Sequence, residues 1–262
     1  MDGRRNNMIP YFQLTTINLG PIAIQVWGLM VALGIFVATW AATKLAKERE
    51  QNYKIFWDLV VWIIASAFIG ARLFHIVYEP MVYFEDPFEL IRIWHGGFSV
   101  MGGFLGAILV GVWYLKRRKV NVSEYVDTGL FALPLGLFIG RIGCFLIHDH
   151  PGVLSDFFLA VDYPGGARYD HGLFLSLNGL ILFLVFLWMR KKQVGYGAYT
   201  IVFLIWYGLV RFLLDFIRAT NGGIIDVRYF GLTPAQFMSI AMVVLGLWML
   251  KQHKRKKLSK DI

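Results

Sequence analysis

The chain has little charge for its length. Only 16% of its 262 residues are Asp, Glu, Lys or Arg, whereas charged residues make up roughly a quarter of a soluble domain. The apolar residues, 57% of the total, stand in long blocks, and the charges cluster between these blocks. This distribution excludes an ordinary water-soluble globule and indicates a protein embedded in a membrane.

Cysteine is almost absent, because Cys144 is the only one in the chain. A single cysteine excludes an internal disulfide and any cysteine-rich metal site. The beginning of the chain also lacks a compact apolar run that ends in a small-residue cleavage site, so we expect no cleavable signal peptide. We predict that residues 1–19 form an interfacial segment.

Seven apolar stretches are long enough to cross a bilayer, which needs about 20 helical residues. They are residues 20–43, 55–78, 98–115, 125–147, 172–189, 197–217 and 232–250. Backbone in contact with lipid must satisfy its own hydrogen bonds, which favours helices. The predicted fold is therefore an all-α integral membrane protein, a bundle of about seven transmembrane helices. We predict one transmembrane domain over residues 20–250 and a basic cytoplasmic tail over residues 251–262.

Basic residues mark one side of the membrane. The net charge is +9, but Lys and Arg occur in short runs beside apolar blocks, which indicates membrane orientation and argues against nucleic-acid binding. With seven spans, most basic residues follow the odd-numbered spans, and Lys260 lies in the run after the last. The positive-inside rule then predicts an outer N-terminus and a cytoplasmic C-terminus, although Arg4 and Arg5 argue weakly against this orientation.

Three arginines lie inside predicted spans, toward the outer ends: Arg72, Arg141 and Arg211. An arginine at the bilayer centre costs roughly 2.5–3.5 kcal/mol on insertion scales, and less near the interface. Each side chain could simply reach the lipid headgroups. Their similar depth on three separate spans, however, favours a shared polar cavity.

Helical spacing gives these arginines polar neighbours. The residues that share a helical face are Arg72, His75 and Tyr78 in the second span, Arg141, Cys144 and His148 in the fourth, and Tyr207, Arg211, Asp215 and Arg218 in the sixth. Guanidinium groups bind phosphate oxygens bidentately and stay charged in apolar surroundings. Because the commonest phosphate in a membrane belongs to a phospholipid, we predict that the cavity binds a lipid headgroup.

The end of the fourth span carries the motif His148-Asp149-His150. Two histidines around an aspartate could bind a metal, but side chains at i and i+2 do not share a helical face. His148 or Asp149 could instead accept a proton from a thiol or hydroxyl, or the motif could be a loop that only forms hydrogen bonds. Cys144 could be a nucleophile or a small packing residue.

Glycines are frequent at the start of the third span, where Gly102 and Gly103 follow Gly96 and Gly97. Small residues let helices pack closely, and they also let backbone N–H groups approach a ligand. Both interpretations stay open at this point.

The fourth span contains a longer motif that resembles the signature of a known protein family. It reads Gly140-Arg141-Ile142-Gly143-Cys144-Phe145-Leu146. This motif resembles the signature of prolipoprotein diacylglyceryl transferases. Further similar stretches follow in the same order along the chain: residues 27–30, 70–72, 94–103, 207–212 and 231–239. The resemblance covers nearly the whole membrane region.

The resemblance implies a bacterial inner-membrane enzyme with seven spans. Such an enzyme moves the diacylglyceryl group of phosphatidylglycerol to the thiol of a prolipoprotein signal-peptide cysteine and releases glycerol phosphate. The implied partners are phosphatidylglycerol, the prolipoprotein signal peptide and membrane lipid, with no nucleic acid. Neither a metal nor an organic cofactor is expected.

The resemblance also assigns roles to residues. Arg141 and Arg211 match the arginines that the family uses around the lipid phosphate, and Tyr207 matches a site tyrosine. Asp215 stands where the family usually has Glu. The predicted catalytic residues are Arg141, Arg211, Asp149 and His148. The predicted substrate-binding residues are Arg141, Arg211, Arg72, Tyr207, Asp215, Tyr78, Gly102 and Gly103.

Several positions depart from the family pattern. Cys144 and Ile147 replace asparagines, Asp149 replaces Glu, Met101 replaces His or Tyr, and Trp27 replaces Tyr. These changes leave open a divergent paralogue that uses another acceptor or binds phospholipid without turnover. A small transporter is a further alternative, which would need broken helices with termini inside the membrane.

Overall fold

The computed structural model describes residues 8–219 and 228–258. Seven of its helices are long and apolar enough to cross a membrane, which confirms the predicted fold class. In chain order the helices are α1 (Val26–Glu48), α2 (Lys54–Tyr78), the short α3 (Pro80–Glu85), α4 (Val100–Arg117), α5 (Val122–Ile147), α6 (His171–Lys191), α7 (Ala198–Leu214) and α8 (Pro234–Leu258). A 3-10 turn over Asp215–Ile217 continues α7.

Parts of three predictions lie outside the described residues. They are the start of the N-terminal segment with Arg4 and Arg5, residues 220–227 of the predicted transmembrane domain, and the end of the basic tail with Lys260. Within the described part of the tail, α8 continues to Leu258. The proposed division into an interfacial segment, a transmembrane domain and a tail stays a prediction.

Short strands lie before the first span and between α5 and α6, and the sequence prediction did not include them. The strands are β1 (Ile9–Pro10), β2 (Thr16–Leu19), β3 (Ile22–Gln25), β4 (Pro151–Leu154), β5 (Val161–Tyr163) and β6 (Gly166–Asp170). Strands β2 and β3 form a hairpin through Gly20, whose φ of 61° suits a tight two-residue turn. The first span therefore begins at Val26, six residues later than predicted.

The other four strands form one sheet in the order β1-β5-β6-β4. Strand β1 pairs parallel with β5, and the other neighbours are antiparallel. A two-residue turn with Gly165 at a φ of 98° joins β5 to β6. This sheet connects the end of α5 to the start of α6.

The chain divides into two compact units. The larger unit comprises Met1–Ala41 and Asp127–Ile262, and the smaller unit comprises Ala42–Val126. In the larger unit, glycines bring helices together: a methyl group at Gly208 of α7 would lie 2.9 Å from the Ser239 carbonyl oxygen of α8. A methyl group at Gly179 of α6 would lie 2.8 Å from the Phe138 amide of α5. Small residues at helix contacts are typical of membrane proteins.

In the smaller unit, α2 and α4 pack through a run of glycines. Methyl groups at Gly102 and Gly106 would collide with the carbonyl oxygens of Gly70 and Ser66. The backbones of the two helices therefore approach directly at these positions, which explains the glycine-rich start of the third span.

This packing gives a stability prediction. We expect Gly106→Ala to lower the free energy of unfolding by about 1–3 kcal/mol, because a buried contact without space becomes overpacked. Thermal unfolding in detergent measures this change. The matched control is Gly28→Ala in α1, where a methyl group meets no atom within 4 Å. Equal melting temperatures for the two variants would contradict the close contact of α2 and α4.

Candidate active site

A cluster of buried polar residues lies at one end of the helices of the larger unit. Asp170, the N-cap of α6, contacts His148 at the end of α5. His171, the first residue of α6, contacts Arg211 near the end of α7, and Thr233 before α8 contacts Asp215. The C-terminal ends of α5 and α7 and the N-terminal ends of α6 and α8 therefore meet.

Asp215 is the central carboxylate of this cluster and is fully buried. It accepts a hydrogen bond from Nη1 of Arg211 at 2.7 Å and another from the Thr233 hydroxyl. Nη1 of Arg218 lies 3.7 Å from the same carboxylate oxygen as Arg211. A buried carboxylate with these partners holds the arginine side chains in defined orientations.

His171 contacts the same arginine. Its Nε2 lies 2.6 Å from Nη1 of Arg211 and 4.0 Å from Oδ1 of Asp215. Because a guanidinium group can only donate, Nε2 accepts and the imidazole proton sits on Nδ1. That Nδ1 atom is buried without a hydrogen-bond partner among the described residues.

Arg141 joins the cluster from α5. Its Nη1 lies 3.7 Å from the Cys144 sulfur, and its charge acts on both Arg211 and His171. Arg211 and Arg218 thus lie beside the buried carboxylate of Asp215, and Arg141 adds a third positive charge near Arg211. The cluster keeps an excess of positive charge that an anionic ligand would balance.

Tyr207 lies one helical turn before Arg211 on α7. Its ring stacks on Phe203, with centroids 5.1 Å apart and planes at 6°. The phenol acts electrostatically on Arg211, so it lies on the side of α7 that faces the cluster. Cys144 is buried, and a methyl group at Gly172 of α6 would lie 3.0 Å from its Cβ. This contact favours the packing interpretation of Cys144.

His148 belongs to a second buried network. Its Nδ1 lies 2.7 Å from Oδ2 of Asp170 and 3.1 Å from the Tyr163 hydroxyl, and its ring stacks on Tyr11 at 4.8 Å. Tyr163 donates to the same Asp170 oxygen at 2.6 Å. Burial and the neighbouring carboxylate of Asp170 raise the pKa of Tyr163. Since Asp170 also accepts from the Leu173 amide, the network fixes the start of α6 to the end of α5.

Asp149 follows His148 and is about one-third exposed. Its Oδ1 lies 2.5 Å from Nδ1 of His150, and the two side chains keep 31% and 35% of their exposed area. The charge of Asp149 acts on Cys144, so this loop lies beside the arginine cluster. The assignment of His148 or Asp149 as proton acceptor stays a prediction.

The smaller unit contains the remaining predicted residues. All five N–H groups of Arg72 donate to backbone carbonyls, and its side chain is buried. The acceptors belong to Glu89, Leu90, Arg92, Gly96 and Gly97. Arg72 therefore holds the connection between α2 and α4 in place and has no donor left for a phosphate in this structure.

Glycine geometry makes this arrangement possible. Gly96 and Gly97 adopt φ values of 83° and 72°, a conformation that glycine reaches without strain. The Arg92 guanidinium further along the connection lowers the pKa of Asp86 and Glu89 through hydrogen bonds. These contacts give the connection a defined fold.

The other predicted substrate-binding residues of the smaller unit have different surroundings. Tyr78 is 62% exposed at the end of α2. Gly102 is buried against α2, and a methyl group at Gly103 would lie 3.5 Å from the Ala67 carbonyl oxygen. A contact of these residues with substrate stays a prediction.

Sequence reasoning did not select three residues of the cluster. Helical spacing placed Arg218 on the polar face of the sixth span, but its position depends on the 3-10 turn and on pairing of its backbone with Gly152 of β4. His171 begins α6, and Thr233 directly precedes α8. The available signal was their position at the start of a span, where a polar side chain can reach the preceding connection.

The fold and the cluster define a class: a membrane protein with seven apolar spans among the described residues and a cluster of arginine side chains at one end of the helices of its larger unit. Comparison with known proteins identifies the family. The sequence model for prolipoprotein diacylglyceryl transferase matches residues 14–251. The chain therefore belongs to the prolipoprotein diacylglyceryl transferase family, as its motifs predicted.

Curated relatives cover nearly the whole chain. A phosphatidylglycerol–prolipoprotein diacylglyceryl transferase of Solidesulfovibrio magneticus is 32% identical over 259 residues, which are 93% of this chain and 96% of the relative. The protein of that name from Mannheimia succiniciproducens is 30% identical over 262 residues, with 96% and 97% covered. The protein of that name from Ehrlichia canis is 27% identical over 246 residues, with 90% and 94% covered.

Proposed function

We propose that this protein transfers the diacylglyceryl group of phosphatidylglycerol to the cysteine thiol of a prolipoprotein signal peptide. It is a multi-pass transferase of the bacterial cytoplasmic membrane that acts in lipoprotein biosynthesis, in agreement with its family. The observation that carries the mechanism is the pairing of Arg211 and Arg218 with buried Asp215, with the charge of Arg141 acting on Arg211.

The arginine cluster suits the phosphate of the lipid. Arg141 from α5 and Arg211 from α7 would bind phosphate oxygens, which guanidinium groups contact through parallel N–H donors. Asp215 would hold Arg211 through the contact of 2.7 Å, and Tyr207 would support it from the preceding turn. We propose that the site faces the outer leaflet, as the charge distribution of the sequence predicts.

The reaction is a displacement at the glyceryl carbon that carries the phosphate ester. A sulfur–carbon bond forms, the carbon–oxygen bond breaks, and glycerol phosphate leaves with the electron pair of that bond. Negative charge grows on the phosphate oxygens as the bond breaks, so fixed guanidinium groups stabilise the transition state more than the bound lipid. A single well-placed donor of this kind is worth about 10²–10³-fold in rate.

Genetic rescue and a purified assay test this function together. In bacteria depleted of their own transferase, expression of this chain should restore diacylglyceryl-modified lipoprotein, detected by mass spectrometry. The purified protein should also release glycerol phosphate from phosphatidylglycerol vesicles only when a cysteine-containing signal peptide is present. A correctly inserted protein that modifies no peptide in either assay would contradict the proposal and favour a lipid-binding paralogue.

A further inference from the structure

We infer that His171 is the group that takes the proton of the incoming thiol. The inference rests on the proposed function and adds a catalytic residue that the sequence did not indicate. It differs from the sequence prediction, which gave this role to His148 or Asp149.

His171 lies beside the proposed phosphate site, where a proton acceptor for the thiol is needed. His171 is 2% exposed and touches Arg211 through Nε2 at 2.6 Å, so it lies inside the cluster that would bind the phosphate. The His148 imidazole instead contacts Asp170 and Tyr163 in the network that joins α5 to α6. A base must reach the atom from which it takes a proton, and the reacting carbon is one bond from the phosphate ester oxygen.

The two ring nitrogens of His171 already have the protonation that a proton acceptor needs. Nε2 carries the lone pair, because it accepts from the Arg211 guanidinium. When a lipid phosphate accepts the Nη1 hydrogen that points to His171, while the other Nη1 hydrogen stays on Asp215, that lone pair becomes available beside the reacting carbon. The ring is therefore already in the tautomer that a proton acceptor needs. Nδ1, at the other side of the ring, has no hydrogen-bond partner among the residues that the structure describes.

Charged side chains surround the His171 ring. The cations that act on His171 are Arg211, Arg218 and Arg141, with His150 as a further titratable neighbour. The Asp215 carboxylate is 4.0 Å from Nε2. A bound phosphate would balance the arginines, and the carboxylate would then stabilise the imidazolium that forms. Proton transfer is thereby coupled to lipid binding.

The step balances without a further reactant. Nε2 of His171 takes the thiol proton, the sulfur attacks the glyceryl carbon, and glycerol phosphate leaves with the electron pair of the broken carbon–oxygen bond. The imidazolium returns its proton to the phosphate of the departing product. The products are a thioether on the peptide and glycerol phosphate.

A selenocysteine substrate separates a base from a structural residue, because a selenol is largely ionised at neutral pH and needs no proton acceptor. We would compare wild type, His171→Gln and His171→Asn on phosphatidylglycerol vesicles with a signal peptide that carries cysteine or selenocysteine. Glutamine can still accept from Arg211 but cannot take a proton. The control is His253→Gln, an exposed histidine near the end of α8.

The expected result is a loss of about 10²–10⁴-fold with the cysteine peptide in both variants, which is the usual contribution of a general base. With the selenocysteine peptide, the variants should come within about tenfold of wild type. An equal loss with both peptides, or near wild-type rates with cysteine, would overturn the assignment. A wild-type protein that modifies neither peptide would overturn the proposed function instead, and the assignment with it.

Discussion

Replacement of Arg211 by alanine should abolish diacylglyceryl transfer while leaving membrane insertion intact. The change removes one of the guanidinium groups that would hold the lipid phosphate and stabilise the departing glycerol phosphate. A loss of at least about 10²–10³-fold in rate is expected for one such donor. Arg141→Ala should have a similar effect, because Arg141 acts on the same site from α5. Glycerol phosphate release from phosphatidylglycerol vesicles measures the loss.

The matched control for Arg211→Ala is Lys254→Ala. Lys254 is an exposed cation near the end of α8, and its loss should change neither insertion nor transfer. Arg211→Lys gives a further comparison, since lysine keeps the charge but not the bidentate geometry. We expect an intermediate rate for this variant. Full activity after Arg211→Ala would show that the lipid phosphate binds elsewhere.

The spans could be predicted from the sequence because each depends on a local property, a run of apolar residues of sufficient length. Dependence on apolar runs alone also placed the start of the first span too early. Residues 20–25 are apolar enough to continue a span, but Gly20 and Pro21 form a turn and the residues on both sides pair as strands. Turn chemistry, which local hydropathy does not measure, decided that boundary.

Helical spacing also predicted the centre of the candidate site. Arg211 and Asp215 stand four residues apart, so their side chains share a face of α7, and the structure joins them at 2.7 Å. The pairing needs no knowledge of the rest of the fold. The electrostatic interaction of Arg141 with Arg211 depends in addition on where α5 and α7 end relative to each other, which the spacing along one helix does not give.

The surroundings of Arg72 could not be predicted from its place on one helix. Because it lies in a span, Arg72 was predicted to bind substrate together with Arg141 and Arg211. Its partners in the structure are backbone carbonyls of a connection about 20 residues further along the chain. At Gly97, a positive φ and the lack of a side chain let the backbone approach the guanidinium, since a methyl group there would lie 2.5 Å from Nη1 of Arg72. Such long-range backbone geometry cannot be deduced from the spacing of polar residues along one helix.

The missing strands have a related explanation. A hairpin signal was present at Pro164 and Gly165, between Val161 and Tyr169, and could have been recognised from its turn residues. The pairing of β1 with β5 joins residues about 150 positions apart, and no local pattern indicates it. The buried network of His148, Tyr163 and Asp170 depends on that sheet.

The second large effect is expected at Asp215. Removal of one partner from a buried ion pair costs about 3–5 kcal/mol, because the remaining charge is left buried without compensation. Asp215→Asn should therefore lower thermal stability strongly, and it should also slow transfer because Arg211 loses its orientation. The control is Asp156→Asn, an exposed carboxylate in the connection between α5 and α6. Surface substitutions of this kind usually change stability by less than about 0.5 kcal/mol.

A double-mutant cycle determines whether the ion pair itself is responsible. If Asp215 stabilises the protein mainly by neutralising Arg211, then Arg211→Met combined with Asp215→Asn should cost less than the sum of the single changes, with a coupling of about 0.5–3 kcal/mol. Additive costs would mean that the stability contribution of Asp215 comes from its other partners, Thr233 and Arg218. In that case Arg211 would be held chiefly by His171, and His171→Asn should misorient Arg211 more than Asp215→Asn does.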